Sequence, residues 1–165
     1  VTHRPQIAQL ASDFTRLSKA FSALRQIEPL LPGGVEASAI PILFKLSNGP
    51  LRVGQLAHLL HSDISTVSRQ TSSLVARGLV AKTRDSDDGR VQQLALTDQG
   101  VELAGALREQ RCHLLDLLLA EWPDDELDSA AQAVHRLADA IESMLRDPQR
   151  RQVLEDGIAG LASDR

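Results

Sequence analysis

Residues 56 to 80 read LAHLLHSDISTVSRQTSSLVARGLV. The stretch opens on Leu56-Ala57, passes a polar turn at Ser62-Asp63, runs through Ser65-Thr66-Val67-Ser68-Arg69 and closes at Arg77-Gly78-Leu79-Val80. Its spacing predicts a helix, a short turn and a second helix. In the first helix Val53, Leu56, Ala57, Leu59 and Leu60 make one apolar side, and Ser62 or Asp63 offers an oxygen that can cap the second. Two helices are expected to meet at a sharp turn.

The second helix is resolved by angle, at about 100° per residue from Val67. Ile64, Thr71, Leu74 and Val75 fall within about 80° of Val67 and are expected to face inward. Ser65, Arg69, Ser72 and Ala76 lie opposite, flanked by Thr66, Ser68 and Ser73. No carboxylate stands between Ile64 and Ala81, so nothing there repels phosphate. Small hydroxyls and one arginine suit the DNA major groove, where Ser and Thr bond to base edges or phosphates and Arg chelates guanine O6 and N7. The bland alternative is a solvated helix that happens to be rich in Ser and Thr.

The residues after this helix favour the DNA-reading alternative. Leu79 to Arg84 is short and strand-like, and Val91 to Leu96 alternates well enough to pair with it. Between them Asp85-Ser86-Asp87-Asp88-Gly89-Arg90 is a polar loop whose Gly89 permits a tight reversal. A helix-turn-helix with a hairpin behind it is a winged helix, whose wing arginine can enter the minor groove. Arg84 and Arg90 are the wing candidates, with Asp88 orienting Arg90. This wing resembles the D-x-R-x5-L-T signature of the multiple-antibiotic-resistance-regulator (MarR) family, with Asp88, Arg90, Leu96 and Thr97 at the matching spacing and Gly100 soon after. The likeness extends over residues 7 to 146. One departure is Arg52, which stands where that pattern usually has a Ser or Thr to cap the first helix.

Net charge is −4 over 165 residues, which at first sight opposes DNA binding. Charge is segregated, however. Residues 50 to 100 carry Arg52, Arg69, Arg77, Lys82, Arg84 and Arg90 against Asp63, Asp85, Asp87, Asp88 and Asp98, a net +1 that leaves −5 for the remainder. Local charge governs phosphate contact more than the total does. Aromatic content is 2% with no tyrosine, and the Leu, Ala and Val that dominate the apolar set favour helices. A single cysteine, Cys112, excludes an intrachain disulfide and fits a reducing cytoplasm. The N-terminus lacks an apolar signal core, and the run from Leu114 to Ala120 is far too short to span a bilayer, so a soluble cytoplasmic protein without membrane contact is expected.

Taken in order, Ile7, Leu10, Phe14, Leu17, Phe21 and Leu24 step by three and four, an amphipathic helix with a narrow seam. Pro29, Pro32, Gly33 and Gly34 break it. A helix from near Ser38 to Leu46 takes Pro41 in its first turn, with Ile42, Leu43 and Leu46 inward. Ser47 to Pro50 is a turn, and Leu51-Arg52 can add a short strand beside the wing. Thr97-Asp98 caps a long helix to about Leu119, and Trp122-Pro123 interrupts before a further helix whose seam is Leu127, Ala131, Val134, Ala138, Ile141 and Leu145. Asp147-Pro148 ends that helix. Val153, Leu154, Ile158 and Leu161 then keep a weak spacing that fits either a short docked helix or a frayed end.

The expected fold is therefore mainly α, a winged helix-turn-helix with a small β-hairpin wing plus long dimerisation helices. Residues 1–35 form an N-terminal dimerisation helix, 36–100 the DNA-binding lobe, 101–146 the C-terminal dimerisation helices and 147–165 a tail. One small lobe cannot bury three amphipathic seams, so a homodimer is inferred. The resemblance implies the same, together with an effector pocket between lobe and dimer helices.

An enzyme is the competing class. His58 and His61 at i, i+3 have no Asp, Glu or Cys at ligand spacing. Cys112 and His113 are adjacent on a helix and point apart. His113 and His135 lie on separate helices. Asp85, Asp87 and Asp88 lack the spacing and terminal glutamate of a calcium loop. No catalytic residue, metal site or cofactor is expected. The reading is a DNA-binding transcription regulator, a homodimeric repressor on an inverted-repeat operator, released by a small-molecule effector. Ser65, Thr66, Ser68, Arg69, Ser72 and Ser73 are its groove residues, Arg84 and Arg90 its wing residues, and Asp88 and Gly89 shape the wing. The alternative is a winged-helix module that contacts only proteins.

Overall fold

The computed structural model describes residues 4–27, 35–84 and 92–163. Helix α1 spans Pro5–Ile27, α2 Ile40–Leu46 after one 3-10 turn, α3 Val53–Leu59 and α4 Ile64–Ala76. Strands β1 (Val80–Arg84) and β2 (Gln92–Leu96) pair antiparallel with Val80 opposite Leu96 and Arg84 opposite Gln92, and α5 (Asp98–Leu118), α6 (Asp124–Arg146) and α7 (Pro148–Ser163) complete the chain order. The mainly helical winged-helix class expected from sequence is the one observed.

Two compact units divide the chain. The first comprises residues 1–60 and 64–107 and the second residues 61–63 and 108–165. The first holds a continuous core. Ile42 and Leu43 of α2, Leu56 of α3, Val67 and Leu74 of α4 and Val80 of β1 are no more than 2% exposed. Leu94 of β2 and Leu103, Ala104 and Leu107 of α5 close it. Leu51 bridges Leu94 through reciprocal backbone bonds of 3.0 and 2.8 Å, so the expected short strand beside the wing is a single bridge.

Two residues expected inside lie outside. Leu59 is 43% exposed and Ile64 62% exposed. Both sit at helix ends, where a stripe drawn from the helix centre runs past the edge of the core. At Arg52 the missing Ser or Thr has a physical consequence. A guanidinium has no acceptor, so it cannot cap the first turn of α3 with its side chain, and only the other half of a capping box forms: Gln55 Oε1 accepts the Arg52 N–H at 2.8 Å.

The exit from α4 is tightly specified. Leu79 N–H donates to Leu74 O (3.0 Å) and Gly78 N–H to Val75 O (2.9 Å), a Schellman motif with Gly78 at φ +73°. Thr97 fastens this turn to α5. Its hydroxyl donates to Gly78 O at 2.7 Å and accepts from Gly100 N–H at 3.1 Å, while its own N–H donates to Leu79 O at 3.1 Å. A Cβ on Gly100 would overlap the Leu79 carbonyl oxygen, so only glycine lets α5 approach the turn.

Amphipathic helices without a full core make up the rest. On α1, Ile7, Leu10, Phe14, Leu17 and Phe21 are 45–51% exposed. No residue of α6 is buried, and Val134 and Ile141, expected as seam residues, are exposed. Asp124, Asp125 and Glu126 occupy its first turn, where acids oppose the positive end of the helix dipole. The tail is a helix, because Asp147 Oδ1 accepts from Gln149 N–H (3.0 Å) and Arg150 N–H (3.3 Å) with Pro148 at the first helical position.

Candidate nucleic-acid interface

The surface built by α4 and the hairpin is set by what the core takes away. Burial of Val67, Thr71 and Leu74 leaves Ser65, Ser68, Arg69, Ser72, Ser73 and Ala76 exposed along one side of the helix. Thr66 is half-buried at the margin of that side. Thr71 and Ser72 both donate their hydroxyl protons to Ser68 O, at 3.0 and 2.8 Å. Ser72 Oγ therefore faces outward as an acceptor, while its donor is spent on the helix.

The wing contributes from its strands. Lys82, Thr83 and Arg84 are exposed, with Arg84 at the last position of β1. Asp88, Gly89 and Arg90 lie outside the described residues. A groove of about 100 Å³ runs between α4 and the hairpin, lined by Ser68, Ser72, Thr71, Lys82, Gln92 and other residues of the same unit. It brings two of the expected groove residues beside the base of the wing. Lys82 and Gln92 are additions that the sequence does not single out. A signal exists, since period-2 alternation puts Lys82 on the face of Arg84, but only the register shows that this face turns towards α4.

Among the described residues the histidines and cysteine show no convergent chemistry. Cys112 is exposed, His58 and His61 are exposed, and His135 Nε2 lies 3.4 Å from Asp139 Oδ2 on its own helix. Among the described residues no three His, Cys, Asp or Glu side chains gather as a metal site would need, and no helix is long and apolar enough to cross a membrane.

Comparison with known proteins decides the family. The sequence profile of the MarR family matches residues 37–91, from the turn before α2 to the residue before β2. The chain is 34% identical over 106 residues to the HTH-type transcriptional regulator YxaD of Bacillus subtilis (strain 168), covering 64% of this chain and 74% of that protein. The chain belongs to the MarR family. A second relative of this MarR-family regulator is the HTH-type transcriptional repressor MdtR of the same organism, 26% identical over 147 residues, 87% of this chain and 95% of MdtR. The fold matches a MarR family protein from Bacillus stearothermophilus with a TM-score of 0.71 at 21% identity, over 85% of this chain and 99% of that one. MarR family regulators bind DNA and are typically dimers.

Proposed function

We propose that the chain is a cytoplasmic homodimeric repressor that lays α4 in the major groove of an inverted-repeat operator and is released by a small-molecule effector. The observation that carries the reading is the exposed face of α4, where Ser65, Ser68, Arg69, Ser72 and Ser73 stand together without a carboxylate. Thr66 flanks them, and Arg84 with Arg90 serve the wing. In this division residues 1–35 and 101–146 hold the dimer, 36–100 read DNA and 147–165 are a tail that contains α7. Repression is supported by the likeness to MdtR, a named repressor, and dimerisation by the half-exposed seam of α1. Two recognition helices on one dimer address half-sites about 34 Å apart, one helical turn.

Titration of operator and scrambled duplexes at several salt concentrations tests the assignment. Arg69→Ala should weaken operator binding by roughly 1–3 kcal/mol and relax preference at one or two base pairs. Arg90→Ala should weaken both duplexes alike and reduce the slope of log K against log salt by about 1. Operator affinity unchanged in both variants would make the protein-contact module the better account.

A further inference from the structure

At its N-terminal end α4 leaves in solvent one side chain that hydroxyl and guanidinium chemistry does not explain. Ile64 is the first residue of the helix and 62% exposed. The other large apolar residues of α4 are withdrawn from water: Val67 and Leu74 are buried, and Val75 is half-buried against the core. The core stops at Val67 and leaves a branched aliphatic group in solvent at the N-terminal end. Ile64 stands one turn ahead of Ser68, so the two occupy neighbouring positions on the helix surface. The N-terminal residues of a recognition helix are those that reach base edges. In the major groove the one apolar group a base pair offers is the thymine C5-methyl.

We propose that Ile64 is a specificity-determining residue that reads a thymine by packing on its C5-methyl group. The inference rests on the assignment of α4 as the DNA-reading helix and adds an apolar contact to its polar ones. Ile64 selects T over C at its base pair, because the two pyrimidines differ at C5 by that methyl as well as at C4. Ser68 and Arg69, on the next turn, address the polar edges of the neighbouring pairs.

The test uses a duplex that the wild-type protein selects from a randomised pool. Each thymine of the selected half-site is replaced in turn by deoxyuridine, which lacks only the methyl group, and wild type, Ile64→Ala, Ile64→Val and Arg69→Ala are titrated on every duplex. Wild type and Ile64→Val should lose roughly fourfold in affinity at one or two thymines, the worth of about one buried methyl group. Ile64→Ala should bind the thymine and uracil duplexes alike at those positions, with unchanged helicity. Wild-type binding that is indifferent to every replacement, a selected half-site with no required thymine, or equal sensitivity in wild type and Ile64→Ala overturns the role of Ile64 while leaving the reading helix intact. If Arg69→Ala also binds the selected duplex like wild type, the reading helix itself fails and this inference falls with it.

Discussion

The lobe from α2 to the first turns of α5 and the long helices α1 and α6 handle apolar residues in opposite ways. In the lobe every one of the largest core side chains is sealed, and the turn after α4 is fixed by three backbone and side-chain bonds of Thr97. On α1 five of the six large seam residues stay about half exposed, and α6 buries none. The lobe is complete within one chain, whereas the helices keep apolar surface that only another surface can cover. A large exposed apolar stripe on a folded chain marks an interaction site.

Core truncation gives the largest effect and tests the first half of that contrast. Leu43 is fully buried in α2, so Leu43→Ala should cost about 2–5 kcal/mol in chemical denaturation. A cost below about 0.5 kcal/mol, typical of surface substitutions, would mean that the lobe is not a sealed core. The second half is tested at Phe14, in the middle of the α1 seam. Wild type should scatter light as twice the chain mass at micromolar concentration, and Phe14→Asp should scatter as a single chain that keeps the cooperative unfolding of the lobe. A variant that remains at twice the mass places the subunit contact elsewhere.

The turn at the start of α5 gives an effect of intermediate size. Thr97→Val removes both the cap on Gly100 N–H and the donor to Gly78 O while keeping the side-chain shape. Loss of such a cap should cost about 1–2 kcal/mol. Thr97→Ser keeps the hydroxyl and should recover most of it. A loss in Thr97→Ser with none in Thr97→Val would assign the effect to packing of the methyl group instead.

Much of the fold is legible in the sequence because it depends on local chemistry. Proline and glycine placement marks the start of α2 and the turn at residues 47–50, and the Asp-Pro pair at 147–148 marks a boundary. That same pair also starts α7, since an Asp before Pro ends one helix by its extended backbone and caps the next with its carboxylate. Leu59 and Ile64 escape an angular reading because a helical wheel has no ends: angle alone cannot say where along the axis the core stops. Lys82 and Gln92 escape for a related reason, as strand alternation pairs residues on a face without saying which face meets α4. Beyond the first residue of α4 the angles suffice, because Val67, Thr71 and Leu74 lie where the core is continuous.

The smallest effect on stability separates the reading face from the fold most cleanly. Ser72 is exposed and spends its hydroxyl proton on Ser68 O, an acceptor that Thr71 also serves, so its loss strands no buried group. Alanine is the better helix former by a few tenths of a kcal/mol. Ser72→Ala should therefore leave stability within about 0.5 kcal/mol of wild type, on the stabilising side if it moves at all. Operator binding should respond differently. With its proton held by the helix, Ser72 Oγ offers DNA an acceptor, and the matching groups in the major groove are adenine N6–H and cytosine N4–H. Affinity should fall by several-fold on the operator and little on scrambled DNA, and replacing one adenine by purine, which lacks the N6 amino group, should abolish the difference between wild type and variant at that position. If Ser72→Ala is both as stable and as tightly bound as wild type, the outward acceptor has no partner on DNA, and readout from this side of α4 falls to Ser68 and Arg69.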